Sequence, residues 1–210
     1  MFIRITRLLF VACLFILISV NLSSAYNVTR NVFFIFDKFN EEKGTGEKAG
    51  QNYRLYAKQR GFFLKDPMPK TAHDEAAWLI DVDVAAMNEA FPGVFFLGET
   101  KGIGADVLED GSLYVSFIER ERDGTYYIWK MKECNIDGLR PPLRISLSYN
   151  LMSTEFSAGV NGKTYLSGKA EDSSNFSRIM EIKNYGIKVT NAILNKTGYV
   201  DFNTIKLKSE

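Results

Sequence analysis

Residues 78–84 read Trp-Leu-Ile-Asp-Val-Asp-Val, so that Trp78, Ile80, Val82 and Val84 share one face of an extended chain and Asp81 and Asp83 the other. Residues 143–149 repeat the pattern, with Leu143, Ile145, Leu147 and Tyr149 alternating with Arg144, Ser146 and Ser148. Such alternation belongs to antiparallel sheets with one dry face and one wet face. Further strands are predicted over 32–39, 53–56, 61–64, 94–97, 103–108, 113–118, 125–131, 154–160, 163–166, 185–189 and 199–207. In the last of these the apolar phase moves from Val200 and Phe202 to Ile205 and Leu207, which predicts a bulge near Asn203.

Asp110-Gly111, Asp123-Gly124 and Asn161-Gly162 each lie between such runs. These dipeptides readily take the positive φ angles of a tight hairpin, and a two-residue turn is expected at each. The segments 41–50 and 132–139 read as loops by composition, 85–92 as a polar bridge, and 71–77 as one helical turn. No long helical period occurs. A dozen or so short strands with no helices to cover a parallel sheet imply a sandwich or a barrel.

The chain opens with Arg4 and Arg7, an apolar run from Leu8 to Val20, and the small residues Ser23-Ser24-Ala25. The run is shorter than the roughly 20 residues of a spanning helix, so residues 1–25 are expected to be a cleaved signal peptide, and residues 26–210 a single β-sandwich domain. Secretion or delivery to the periplasm follows as an expectation, with no membrane span in the mature chain. Loss of Arg4 and Arg7 lowers Lys+Arg from 26 to 24 against 25 Asp+Glu, a balance that favours neither nucleic acid nor an anionic membrane. Cys134 is then the one cysteine of the mature chain, which rules out an internal disulfide. Asn27, Asn175 and Asn195 stand in Asn-x-Ser/Thr strings, glycosylation acceptors only in a eukaryotic source.

Three strings in order resemble the concanavalin A-like lectin/glucanase superfamily. Phe36-Asp37-Lys38-Phe39 is similar to its entry strand, Phe156 to Lys163 with Val160-Asn161-Gly162 to a late hairpin, and Gly198 to Leu207 to its terminal strand. The resemblance implies an all-β, two-sheet antiparallel jelly-roll sandwich in which the terminal strand runs beside the first. It also implies carbohydrate as the usual ligand, bound on the concave sheet face or its rim. Fold does not fix function. The Glu-x-Asp-x-x-Glu string of the glucanase branch is absent, as are the Arg- and Lys-rich motifs of the alginate lyase branch, so no catalytic residue carries over.

Asp81 with Asp83, and Glu119 with Glu121, sit two apart on strands, a spacing that glycoside hydrolysis accepts and that solvated polar faces share. Neither pair is taken as catalytic. Sugar binding asks for aromatic rings beside hydrogen-bonding groups, which singles out Tyr114, Tyr126 and Trp129 as carbohydrate contacts. His73 is the sole histidine, leaving little for a metal site or a histidine-dependent triad. No cofactor is expected; calcium on the oxygen-rich 171–175 segment is the one candidate. The reading is a secreted, lectin-like, non-catalytic jelly roll with a glycan partner. Its alternatives are a divergent polysaccharide hydrolase or lyase and an envelope or extracellular scaffold with a protein partner.

Overall fold

The structure, a computed structural model, describes residues 27–31, 44–57, 62–69, 77–108, 110–120, 126–172, 178–191 and 198–209. Fourteen strands occur there. β1 (Asn27–Asn31), β2 (Gly44–Ala49), β3 (Asn52–Ala57), β5 (Ala77–Asn88), β10 (Leu143–Asn150), β11 (Glu155–Val160), β12 (Lys163–Lys169) and β14 (Gly198–Ser209) form one sheet, here sheet A. Its order is β12-β11-β10-β5-β14-β3-β2, with β1 also paired to β14. β4 (Phe62–Pro67), β6 (Ala90–Leu97), β7 (Lys101–Val107), β8 (Ser112–Arg120), β9 (Tyr126–Asn135) and β13 (Asn184–Asn191) form sheet B in the order β4-β13-β6-β7-β8-β9. All pairings are antiparallel, and the architecture is a jelly-roll sandwich.

The core lies between the sheets and is built from the alternation read in the sequence. Trp78 faces Tyr149, Ile80 faces Leu147, Val82 faces Ile145 and Val84 faces Leu143 across β5 and β10, all buried. Val94, Phe96, Ile103, Ala105, Val115 and Phe117 answer from sheet B. Cross-strand pairs of this kind are the unit of sheet stabilisation, and the buried apolar area supplies most of the driving force. In β14 the register shifts between Asp201 and Ile205, so Val200, Phe202, Ile205 and Leu207 all reach the core despite their broken phase. The predicted bulge near Asn203 is present.

Asn161 and Gly162 join β11 to β12 with φ of 53° and 79°, a two-residue turn of the type that matches strand twist. The Asn161 side chain accepts a hydrogen bond from the Arg144 backbone N at 2.8 Å, tying the turn to β10. No atom would crowd a side chain at Gly162, so backbone strain alone penalises one there. Gly162→Val is expected to cost about 1–2 kcal/mol, read as a lower Tm; an unchanged Tm would count against the turn. Asp110-Gly111 differs from expectation. β7 ends at Val107 and β8 starts at Ser112, a connection longer than two residues, with Gly111 at φ of 86° and the Asp110 carboxylate accepting from the Ser112 backbone N at 2.8 Å. Asp123-Gly124 lies outside the described residues.

Several segments read as irregular are strands. Within 41–50, expected as a surface loop, Gly44–Ala49 is edge strand β2 paired with β3. The expected bridge at 85–92 is occupied by the end of β5 and the start of β6, with Glu89 between them at φ of 49°. β9 runs on to Asn135, so Cys134 is on a strand opposite Leu113 and packs against the core. The predicted strand over 32–39, with Phe36, and residues 71–76 of the predicted turn lie outside the described residues, while Ala77 opens strand β5. β1 runs antiparallel beside terminal strand β14; the expected neighbourhood of Phe36 and Phe202 lies outside the described residues.

Candidate functional site

Strand register lays out the face of sheet B that points away from the core. One row across β13, β6, β7, β8 and β9 reads Lys188, Gly93, Asp106, Tyr114, Glu133. Lys188 and Asp106 are on strands separated by β6, yet their charged groups meet at 2.6 Å, each side chain only 1% exposed. Gly93 makes the meeting feasible, since a Cβ there would lie 2.2 Å from Asp106 Oδ1. Burial raises the Asp106 carboxyl above its usual range, opposed by the charge and hydrogen bond of Lys188. Burial, followed by the charge of Asp106, likewise raises the Tyr114 hydroxyl.

The next rows hold Phe95 beside Gly104 and Ser116, then Leu97 beside Gly102 and Ile118. Phe95, Leu97 and Ile118 form a second apolar cluster, and none is more than 1% exposed. The outward face is therefore closed to solvent across β6, β7 and β8, and does not form an open groove there.

Access to rings is found instead on edge strand β9. Tyr127 and Trp129 are 48% and 43% exposed, among the few large hydrophobic residues so open. Their spacing of two puts both on one side of the strand, and the rings lie nearly parallel, 20° apart in plane with centroids at 6.5 Å. Trp129 pairs with the core-facing Phe117, so the two rings project toward the side of the sandwich where β9 approaches β12. At that opening Lys132 Nζ donates to the Ser167 carbonyl at 2.6 Å and bridges the two sheets. Ile128 and Lys130 occupy the opposite side of β9, in register with Ile118 and Ser116.

These positions separate the residues singled out from sequence. Tyr114 is half-buried on the outward face, its ring 5.8 Å from both Lys130 Nζ and Lys188 Nζ. Trp129 is on the other side of sheet B, with Tyr127. Tyr126 pairs with Arg120 at the start of β9; its side chain lies outside the described residues. Sequence reasoning passed over Tyr127 because only the contrast between neighbouring strands, not the alternation within β9, tells which side of an edge strand is open. It also passed over Lys188 with Asp106, whose pairing depends on a register spanning three strands.

Sheet A has its own polar outer face. Depressions of about 600 and 450 Å³ lie there; the first is lined by Ser148, Ser157, Ser167 and Glu155, the second by Asp83, Arg144 and Asn203. Burial raises Asp81, with the nearby Arg144, Lys208 and Lys206 opposing. Burial acts on Asp83 too, but hydrogen bonds from Arg144 and Thr204 prevail and hold it below its usual range. Arg144 binds one Asp83 oxygen at 2.6 Å and Thr204 the other. Asp83 is thus held as an ionised, ion-paired carboxylate on the outer face of sheet A. Glu121, His73 and residues 173–175 lie outside the described residues, and among the described ones no three His, Cys, Asp or Glu residues are grouped to hold a metal. Burial raises the Cys134 thiol, which makes it a poor nucleophile. No helix among the described residues is long and apolar enough to cross a membrane.

The sequence matches no protein-family model and no curated protein. Its architecture does match solved structures. A sialidase superposes with a TM-score of 0.54 at 10% identity over 81% of this chain, which spans 16% of the sialidase. A Bacillus subtilis protein of unknown function with a galectin-like fold gives 0.52 at 10% identity, covering 90% of this chain and 98% of that one. The potassium-bound carbohydrate recognition domain of Emp46p gives 0.51 at 10% identity, covering 84% and 95%. The fold is the concanavalin A-like jelly roll. At such identities the likeness is one of fold.

Proposed function

We propose that this protein is a secreted or periplasmic carbohydrate-binding jelly roll that holds glycan without cleaving it. The observation that carries the reading is the near-parallel, half-exposed Tyr127–Trp129 pair on edge strand β9. Sugar rings present C–H faces that lie on aromatic rings, while their hydroxyls need hydrogen-bonding neighbours. Lys132 on the same strand supplies a donor group beside the sheet opening. Leaving two aromatic rings in water has no folding benefit, whereas a ligand covering them gains their apolar area. Tyr114 lies on the other side of sheet B from this pair, beside the buried Asp106.

The same fold in a carbohydrate recognition domain supports the ligand class. The non-catalytic reading is supported by the ion pair and hydrogen bond that Asp83 makes with Arg144 and Thr204, which give this carboxylate a structural role. Export rests on the amino-terminal leader read from the sequence. Incubation of the folded protein with a glycan array and with insoluble polysaccharides tests the reading. Retention on at least one glycan, with no new reducing ends or unsaturated products, is the expected result. Absence of retention across the panel would overturn it, and product formation would convert it to an enzyme.

A further inference from the structure

The Lys188–Asp106 contact has no part in the proposed glycan site, and its geometry is unusual for an ion pair. Nζ and Oδ2 are 2.6 Å apart with both side chains at 1% exposure, and Oδ1 has no hydrogen-bond partner. Charges so placed are costly, because desolvation of two ions is repaid only when all their hydrogen-bonding capacity is used. Transfer of one proton from the ammonium to the carboxylate removes both charges. It leaves a neutral amine in contact with a carboxylic acid. These are the two reactants of an amide, held in direct hydrogen-bond contact with water excluded.

We propose that Lys188 Nζ and Asp106 Cγ form an intramolecular isopeptide bond. The Nζ lone pair adds to Cγ to give a tetrahedral carbon; the acid's C–OH bond then breaks, and the hydroxyl leaves with a proton from Nζ as water. One N–C bond is made, one C–O bond is lost, and no oxidant or reductant takes part. Tyr114 is the cross-strand neighbour of Asp106, and its ring lies 5.8 Å from Lys188 Nζ, walling the pair on the β8 side. Burial favours the neutral acid, as the raised Asp106 carboxyl indicates. The amide would cross β6 directly over Gly93, where the missing side chain leaves room. It would join residues 82 apart in sequence and bind β7 to β13 across the middle of sheet B.

The intact mass of the purified full chain tests this. The expected value is lower by one water than that calculated for the chain as its amino terminus is found, and digestion should yield one branched peptide joining the Asp106 and Lys188 segments. Lys188→Ala and Asp106→Ala should each show the full mass. Asp110-Gly111 and Asp123-Gly124 can also lose water by closing to succinimides. A mass lower by one water without the branched peptide therefore overturns the proposal, as does the full mass in the unaltered chain. The wild-type measurement decides even where the variants fail to fold.

Discussion

Asp106→Ala should destabilise the fold by about 3–5 kcal/mol, because it removes the buried carboxylate paired with Lys188 and leaves that charge in the interior. Both side chains are only 1% exposed, so the ammonium sits away from bulk water in the native fold. A double variant, Lys188→Met with Asp106→Leu, should recover a good part of the loss relative to the single change, since an apolar pair of similar volume carries no desolvation cost. Denaturant melts of the three proteins check this. Equal stability of Asp106→Ala and wild type would mean that the pair is not buried as described.

The second large effect is expected at Trp78, the bulkiest fully buried side chain. It sits on β5 opposite Tyr149, in the strand that joins β10 to β14. Trp78→Ala removes the ring and leaves a cavity that neighbouring strands close only in part, for about 3–5 kcal/mol. The midpoint of urea unfolding should fall with little change in slope. Trp129→Ala, by contrast, removes a ring already 43% exposed and should move the midpoint little. The two tryptophans thus separate the folding role from the binding role within one composition class.

Their difference shows what the sequence made legible. Around Trp78 the strict alternation of 78–84 and 143–149 has only one reading, and the register observed, Trp78 to Tyr149 through Val84 to Leu143, follows it residue by residue. The Asn161-Gly162 turn was legible for a different reason: two adjacent positive φ angles restrict residue choice sharply. The broken phase in β14 gave away its bulge because buried positions on both sides had to reach one core.

Elsewhere the physical signal is weak. β2 is an edge strand of small and charged residues, so no buried stripe distinguishes Gly44–Ala49 from a loop. The stretch Ala85-Ala86-Met87-Asn88 lacks β-branched residues, and pairing with β14 holds it in the sheet despite that. The charged residues flanking Cys134 read as a loop, but β9 is an edge strand and carries them at little cost. The candidate site suffers most from this limit. Tyr114, Tyr126 and Trp129 were chosen by residue type, and alternation alone placed Tyr126 opposite Tyr127 and Trp129. That Tyr114 and Trp129 occupy opposite sides of sheet B depends on the register of β8 with β9, which shifts between Val115 and Ser116.

The most direct measurement is the affinity of Tyr127→Ala and Trp129→Ala for a glycan retained by the wild-type protein, taken by titration calorimetry alongside a thermal melt of each variant. Each ring lost should weaken binding by on the order of 1–3 kcal/mol while the melt stays close to wild type. Wild-type affinity in both variants would contradict a glycan site on β9.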